Sequence, residues 1–159
     1  MAVDEDPART VEALMTASRA LVGITARSLA ALAAEVTLPQ FRALVVLASR
    51  GPQRPADISA ELAVAPSTGT RMCERLVRKG LARRTRSASD RREVRIRLTP
   101  EGRELVELAL RKRHDELAAI VAATSGHWSP AVTEALQAFA AAAGELPEQE
   151  WWLGGERGV

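Results

Sequence analysis

The chain has 159 residues, room for one domain or for one domain plus a dimerisation appendage, and its 47% hydrophobic and 26% charged content excludes a disordered or fibrous polymer and predicts an ordinary soluble protein. Net charge is only +2, yet residues 50–97 hold 13 basic against 5 acidic side chains, so a basic middle sits inside acidic ends, as a localised anion-binding surface requires. One cysteine excludes an intrachain disulfide framework, no apolar run nears the roughly 20 residues of a membrane span, and the acidic Met1–Asp6 start is unlike a signal peptide, so a cytoplasmic protein is expected.

Aromatic residues make up 3% and tyrosine is absent, so the core must be built from Leu, Val and Ala, which favours helices. Pro7 to Val36 reads as one long helix, with Val11, Leu14, Met15, Leu21, Val22, Leu29 and Leu32 recurring at three- and four-residue steps. A stripe that long exceeds what a small neighbouring domain can cover and predicts packing along a second subunit. Leu38-Pro39-Gln40 opens a second helix with Phe41, Leu44, Val45, Leu47 and Ala48 on its apolar face, and Gly51-Pro52 stops it. Pro55 to Leu62 is a short third helix, and Ala63-Val64-Ala65 is the turn into a fourth that Gly80 ends.

In the fourth helix Gly69, Met72, Cys73 and Leu76 form the inward stripe, with Gly69 allowing close approach of the third helix. Ser67, Thr68, Thr70, Arg71, Arg75 and Arg78 fall on the other side, with Glu74 between Arg71 and Arg78 placed to hold them in extended rotamers. Arginine offers paired donors to guanine, and serine and threonine hydroxyls serve bases or phosphates, so this face suits double-stranded DNA. A solvated helix with internal ion pairs would carry the same charges. The segment that follows decides between them: Leu81 to Pro100 reads as an arginine-rich β-hairpin, in which Val94, Ile96 and Leu98 alternate with Arg95 and Arg97. Arg86, Asp90, Arg91 and Arg92 cluster toward its tip, although Asp90 also suits a plain turn. A basic helix followed by a basic hairpin is the layout of a winged helix-turn-helix.

Thr99-Pro100-Glu101 is a helix start, and the fifth helix runs to about Thr124. Pro130 to Gly144 is the last helix, with Val132, Leu136 and Phe139 on one side. The tail 145–159 is rich in glycine and charge; Trp151-Trp152-Leu153 is its apolar anchor, which packs on the last helix, crosses to a partner subunit or covers a pocket. The expected fold is mainly α with a small β-hairpin wing: a winged helix-turn-helix at 37–99, flanked by dimerisation helices at 1–36 and 100–144.

Leu38-Pro39-Gln40-Phe41-Arg42, Thr68-Gly69-Thr70-Arg71-Met72 with Arg75-Leu76 and Gly80-Leu81, Asp90-Arg91-Arg92, and Leu98-Thr99-Pro100-Glu101-Gly102 occur in this order. Together they resemble the MarR family of bacterial transcription regulators, over roughly Pro7 to Gly144. The resemblance implies a homodimer joined by the first, fifth and sixth helices, the fourth helix in the major groove, and a wing whose Arg92 enters the minor groove, oriented by Asp90. A narrow minor groove attracts arginine by its negative potential. It also implies a repressor bound to an inverted repeat, with half-sites one helical turn apart, and released by a small-molecule effector. That effector would lie between the dimer helices and the DNA-binding lobe, with Arg27, Arg42 or His114 as candidate polar contacts.

The alternative function is a small-molecule-binding protein that uses the dimer pocket without regulating DNA. An enzyme is not expected, since no Ser-His-Asp arrangement, phosphate loop or paired catalytic carboxylates are found. No metal or other cofactor is expected, because His114, His127 and an inward Cys73 make a poor ligand set. Cys73 itself reads as a core residue rather than a redox sensor.

Overall fold

A computed structural model describes residues 6–32, 35–86 and 92–151. Among these residues six α-helices and one hairpin follow in the order α1 (Pro7–Ala30), α2 (Leu38–Arg50), α3 (Pro55–Glu61), α4 (Pro66–Arg78), β1 (Ala82–Arg86), β2 (Val94–Leu98), α5 (Pro100–Ala123) and α6 (Pro130–Ala142), with single 3-10 turns at Ser125–His127 and Glu148–Glu150. This is the expected mainly helical fold with a hairpin wing.

The helix starts follow from capping chemistry. The Asp6 carboxylate accepts from Ala8 N at 3.0 Å, with Pro7 in the first turn of α1. At α2, Thr37 and Gln40 each bond the other's backbone N–H, a reciprocal capping box. The Thr99 hydroxyl accepts from Gly102 N at the head of α5 and donates to the Gly80 carbonyl at 2.6 Å, so one side chain starts α5 and fastens it to the end of α4. There, Gly80 has φ 71°, and Leu81 N donates back to the Leu76 carbonyl, closing the helix with the left-handed residue that glycine accepts without strain.

The core lies beneath α2, which is buried on nearly every side from Gln40 to Ala48 rather than along one face. Leu44, Leu47, Ile58, Leu76, Ile96 and Val106 bring α2, α3, α4, β2 and α5 into one cluster. Two glycines set its tightest contacts. A Cβ on Gly69 would overlap the Ser59 hydroxyl and lie 2.9 Å from Ser59 Cβ, so α3 and α4 can approach only without a side chain at this position. A Cβ on Gly102 would collide with the Leu81 carbonyl, which gives the glycine after Pro100-Glu101 its structural reason.

The hairpin is antiparallel, pairing Ala82 with Leu98, Arg84 with Ile96 and Arg86 with Val94. A third rung joins it: Gln53 N donates to the Ile96 carbonyl at 2.9 Å, and Ile96 N to the Gln53 carbonyl at 2.7 Å. The α2–α3 connection is thereby tied to the hairpin, a link that the sequence did not suggest.

Three expectations are corrected. Helix α1 ends at Ala30, not Val36. Leu32 N bonds the Leu29 carbonyl in a tightened last turn, and Leu32 and Val36 both pack against the core cluster. Val94 lies on the same strand face as Ile96 and Leu98 but is exposed, because the core ends below the outer part of the hairpin. Glu74 does not hold Arg71 and Arg78; it pairs with Arg84 of β1 at 3.5 Å.

Outside the core, Val11, Met15 and Val22 of α1 and Leu136 and Phe139 of α6 are exposed, Phe139 by 56%. None of the residues of α6 is buried within the single chain. No helix among the described residues is long and apolar enough to cross a membrane.

Candidate nucleic-acid interface and adjoining cavity

Helix α4 divides as its sequence period requires. Gly69, Cys73 and Leu76 are buried, while Ser67, Thr68, Thr70, Arg71, Arg75 and Arg78 are all exposed. The helix is held at both ends, by the Gly69–Ser59 contact against α3 and by the Gly80 cap with Thr99. Its polar face is thus a rigid surface rather than a loop.

The hairpin extends that surface. Arg83, Arg84 and Arg86 of β1 are exposed, and the Arg84–Glu74 pair ties the strand to α4. Arg92 is exposed at the return of the hairpin, whereas Asp90 and Arg91 lie outside the described residues. Arg95 and Arg97 are half-buried, and Arg95 pairs with Glu93. The exposed guanidinium groups of the hairpin therefore come more from β1 than from β2. Arg83 and Arg84 went unassigned in the sequence, although the arginine run 83–86 was the available signal.

Cys73 is 2% exposed, and burial pushes its thiol up from the usual range. The thiol packs in the core cluster, the position expected of it from the inward stripe of α4. Among the described residues no group of three or more His, Cys, Asp or Glu could hold a metal ion.

On the other side of α2 lies a cavity of about 1020 Å³. Its walls come from α1 at Thr25, from α2 at Phe41, Arg42 and Val45, and from α5 at Leu110, Arg113, His114 and Leu117. Two of the three candidate polar contacts, Arg42 and His114, are on this wall; His114 stands at the rim with its side chain 80% exposed. Arg27 is not in the lining. It pairs with Glu116 and staples α1 to α5, and that hydrogen bond raises its pKa further above the ordinary arginine value.

The remaining wall comes from α6 at Ala140 and from the C-terminal segment, with Glu145, Leu146, Glu148 and Trp151. Trp151 is 9% exposed, joins the core cluster and donates from Nε1 to the Leu146 carbonyl at 2.9 Å. Of the readings open for the tail, covering a pocket is therefore the one that fits Trp151, while Trp152 lies outside the described residues. Arg113, Glu145 and Glu148 are lining groups that sequence reasoning missed, since nothing local marks a polar tail residue as facing a cavity.

Comparison with known proteins agrees with this geometry. The model of the MarR family matches residues 36–94, from the start of α2 into β2. The chain is similar to the crystal structure of RV1404 from Mycobacterium tuberculosis, with 38% identity and a TM-score of 0.77 over 91% of this chain and 99% of that one. It also resembles Bordetella bronchiseptica BpsR, a protein whose DNA binding is regulated by 6-hydroxynicotinic acid, at 26% identity and a TM-score of 0.58 over 86% and 93% of the two chains. The uncharacterized HTH-type transcriptional regulator YsmB of Bacillus subtilis is 34% identical over 82 residues, so the match spans 52% of this chain and 56% of that relative.

Proposed function

This chain belongs to the MarR family of transcriptional regulators, and on that premise we propose that it works as a homodimeric, sequence-specific DNA-binding repressor released by a small-molecule effector. The observation that carries the reading is the continuous basic surface of α4 and β1, in which Arg71, Arg75, Arg78, Arg83, Arg84 and Arg86 are exposed on two elements joined by the Arg84–Glu74 pair. Residues 37–99 are the DNA-binding unit, 1–36 and 100–144 the dimerisation helices, and 145–159 a tail.

Each role follows from chemistry. Ser67, Thr68, Thr70 and Arg71 are in the first two turns of α4, where a recognition helix meets base edges. Arg75 and Arg78, further along the helix, suit phosphates. Arg86 and Arg92, with Asp90 and Arg91, serve the minor groove and its flanking phosphates. Exposed Val11, Met15, Leu136 and Phe139 on α1 and α6 are the surface for the second copy. The cavity between α1, α2 and α5 is the effector site, with Arg42 and His114 on its wall. Arg27 is better placed as a structural staple than as an effector contact, since Glu116 holds it.

The test is an anisotropy titration against DNA from upstream of the chain's own gene, with random DNA as competitor. Saturable binding at an inverted repeat that outcompetes random DNA supports the proposal. Equal, weak binding to every sequence, with tight small-molecule binding, replaces it with a ligand-binding protein that does not regulate DNA.

A further inference from the structure

The cavity has an uneven distribution of charge. Its helical walls contribute the cations Arg42 and Arg113, with His114 at the rim, and its carboxylates, Glu145 and Glu148, come only from the C-terminal segment. One of these is already seated: Arg42 grips Glu145 with both terminal nitrogens, Nη1 reaching Oε2 at 3.2 Å and Nη2 reaching Oε1. A forked arginine–carboxylate pair at the edge of an apolar hollow is the geometry by which proteins hold an organic acid. Here the chain supplies the acid itself.

Besides Arg42, the segment is anchored by the Arg50 guanidinium on the Gly144 carbonyl at 3.1 Å and by Trp151 against the core. The same cations reach the helix-turn-helix, because Glu61 at the end of α3 pairs with Arg50 at 2.9 Å and with Arg42 at 3.8 Å. Glu145 and Glu61 therefore share Arg42, and Gly144 and Glu61 share Arg50.

We propose that Glu145 holds the place of a ligand anion on Arg42, and that the cavity takes an organic monoanion with an apolar body by exchanging it for Glu145 and lifting the strap 144–151. This rests on the effector-cavity reading and adds the ligand's charge, its anchor and the segment it displaces. When the strap leaves, both carboxylates of the lining leave with it, and the hollow keeps Phe41, Val45, Leu110 and Leu117 around two guanidinium groups. Loss of the Gly144 contact also frees Arg50 to follow Glu61, which carries the exchange to α3 and, through the Gly69 contact, to α4.

The probe is 1-anilinonaphthalene-8-sulfonate, an apolar anion followed by its fluorescence, with neutral N-phenyl-1-naphthylamine as control. Full-length wild type, Glu145→Gln, Arg42→Gln and the double variant are titrated. Removing the internal competitor should tighten anion binding about two- to fivefold, the range expected for a half-exposed ion pair. Arg42→Gln should weaken it, and the double variant should show no gain from Gln at 145. Saturating anion should also speed amide exchange in 144–151. The neutral probe should ignore both substitutions. Tight anion binding that is insensitive to both substitutions, or a neutral probe that responds equally, overturns the exchange and leaves the effector cavity standing. If neither probe binds the wild type, the effector cavity falls, and the exchange with it.

Discussion

Gly69 and Ser59 are the residue pair that sets how closely α4, with its polar face, packs on α3. The Ser59 hydroxyl donates to the Pro55 carbonyl at 2.8 Å, so it has a fixed position, and a methyl group on residue 69 would overlap it. Gly69→Ala should cost about 1–3 kcal/mol, the usual penalty for overpacking a tight contact, and should lower the thermal midpoint. An unchanged midpoint would mean that α3 and α4 are not packed as closely as the geometry requires. Arg71 belongs to the same scale but to function. Arg71→Ala should cost about 1–3 kcal/mol of specific binding if it reads a base, with the thermal midpoint unchanged because its side chain is exposed. A parallel loss of stability and affinity would assign it to folding instead.

Helix α3 shows how one element responds to pH. The Arg54 guanidinium, bonded to Asp57 at 2.8 and 2.7 Å, holds the Asp57 carboxyl below its ordinary value. A carboxylate lowered in the folded state stabilises it above the unfolded pKa of about 3.9, and that contribution fades as pH falls through the folded value. Asp57→Asn should therefore be less stable than wild type at neutral pH, with the gap closing in acid. A gap independent of pH would show that the pair contributes nothing through charge. Elements with a clear period were legible in the sequence. The inward stripe Gly69-Cys73-Leu76 and the alternation Ile96-Leu98 each specify one buried face, and Thr99-Pro100 specifies a start. The end of α1 was not legible, because the run from Ala30 to Ala34 has no stop signal and helix formers continue through it. Gln53 could not be read as a third rung, since a single paired residue has no period. The tail announced hydrophobic anchoring through Trp151 but not its docking place, which depends on a cavity built from three distant helices.

At the scale of the whole molecule, the proposed function makes the single chain half of the working unit. Exposed Val11, Met15 and Val22 on α1 and the unburied α6 leave apolar faces that a compact monomer rarely keeps. In light scattering the protein should have twice the 17.1 kDa chain mass, and Phe139→Glu should shift it toward the monomer while weakening DNA binding. A wild-type monomer that binds its operator with undiminished affinity would break the link between assembly and function. The basic strip runs across α4 and β1 of each chain, so a dimer presents two such strips for two half-sites. The measurement that tests this most directly is the wild-type affinity for double-stranded DNA as salt is raised from about 50 to 200 mM. If these arginines meet phosphates, log K should fall linearly with log salt, with a slope of about −0.9 for each phosphate neutralised, and several phosphates should be counted. A flat response would contradict the assignment of the α4–hairpin surface to DNA.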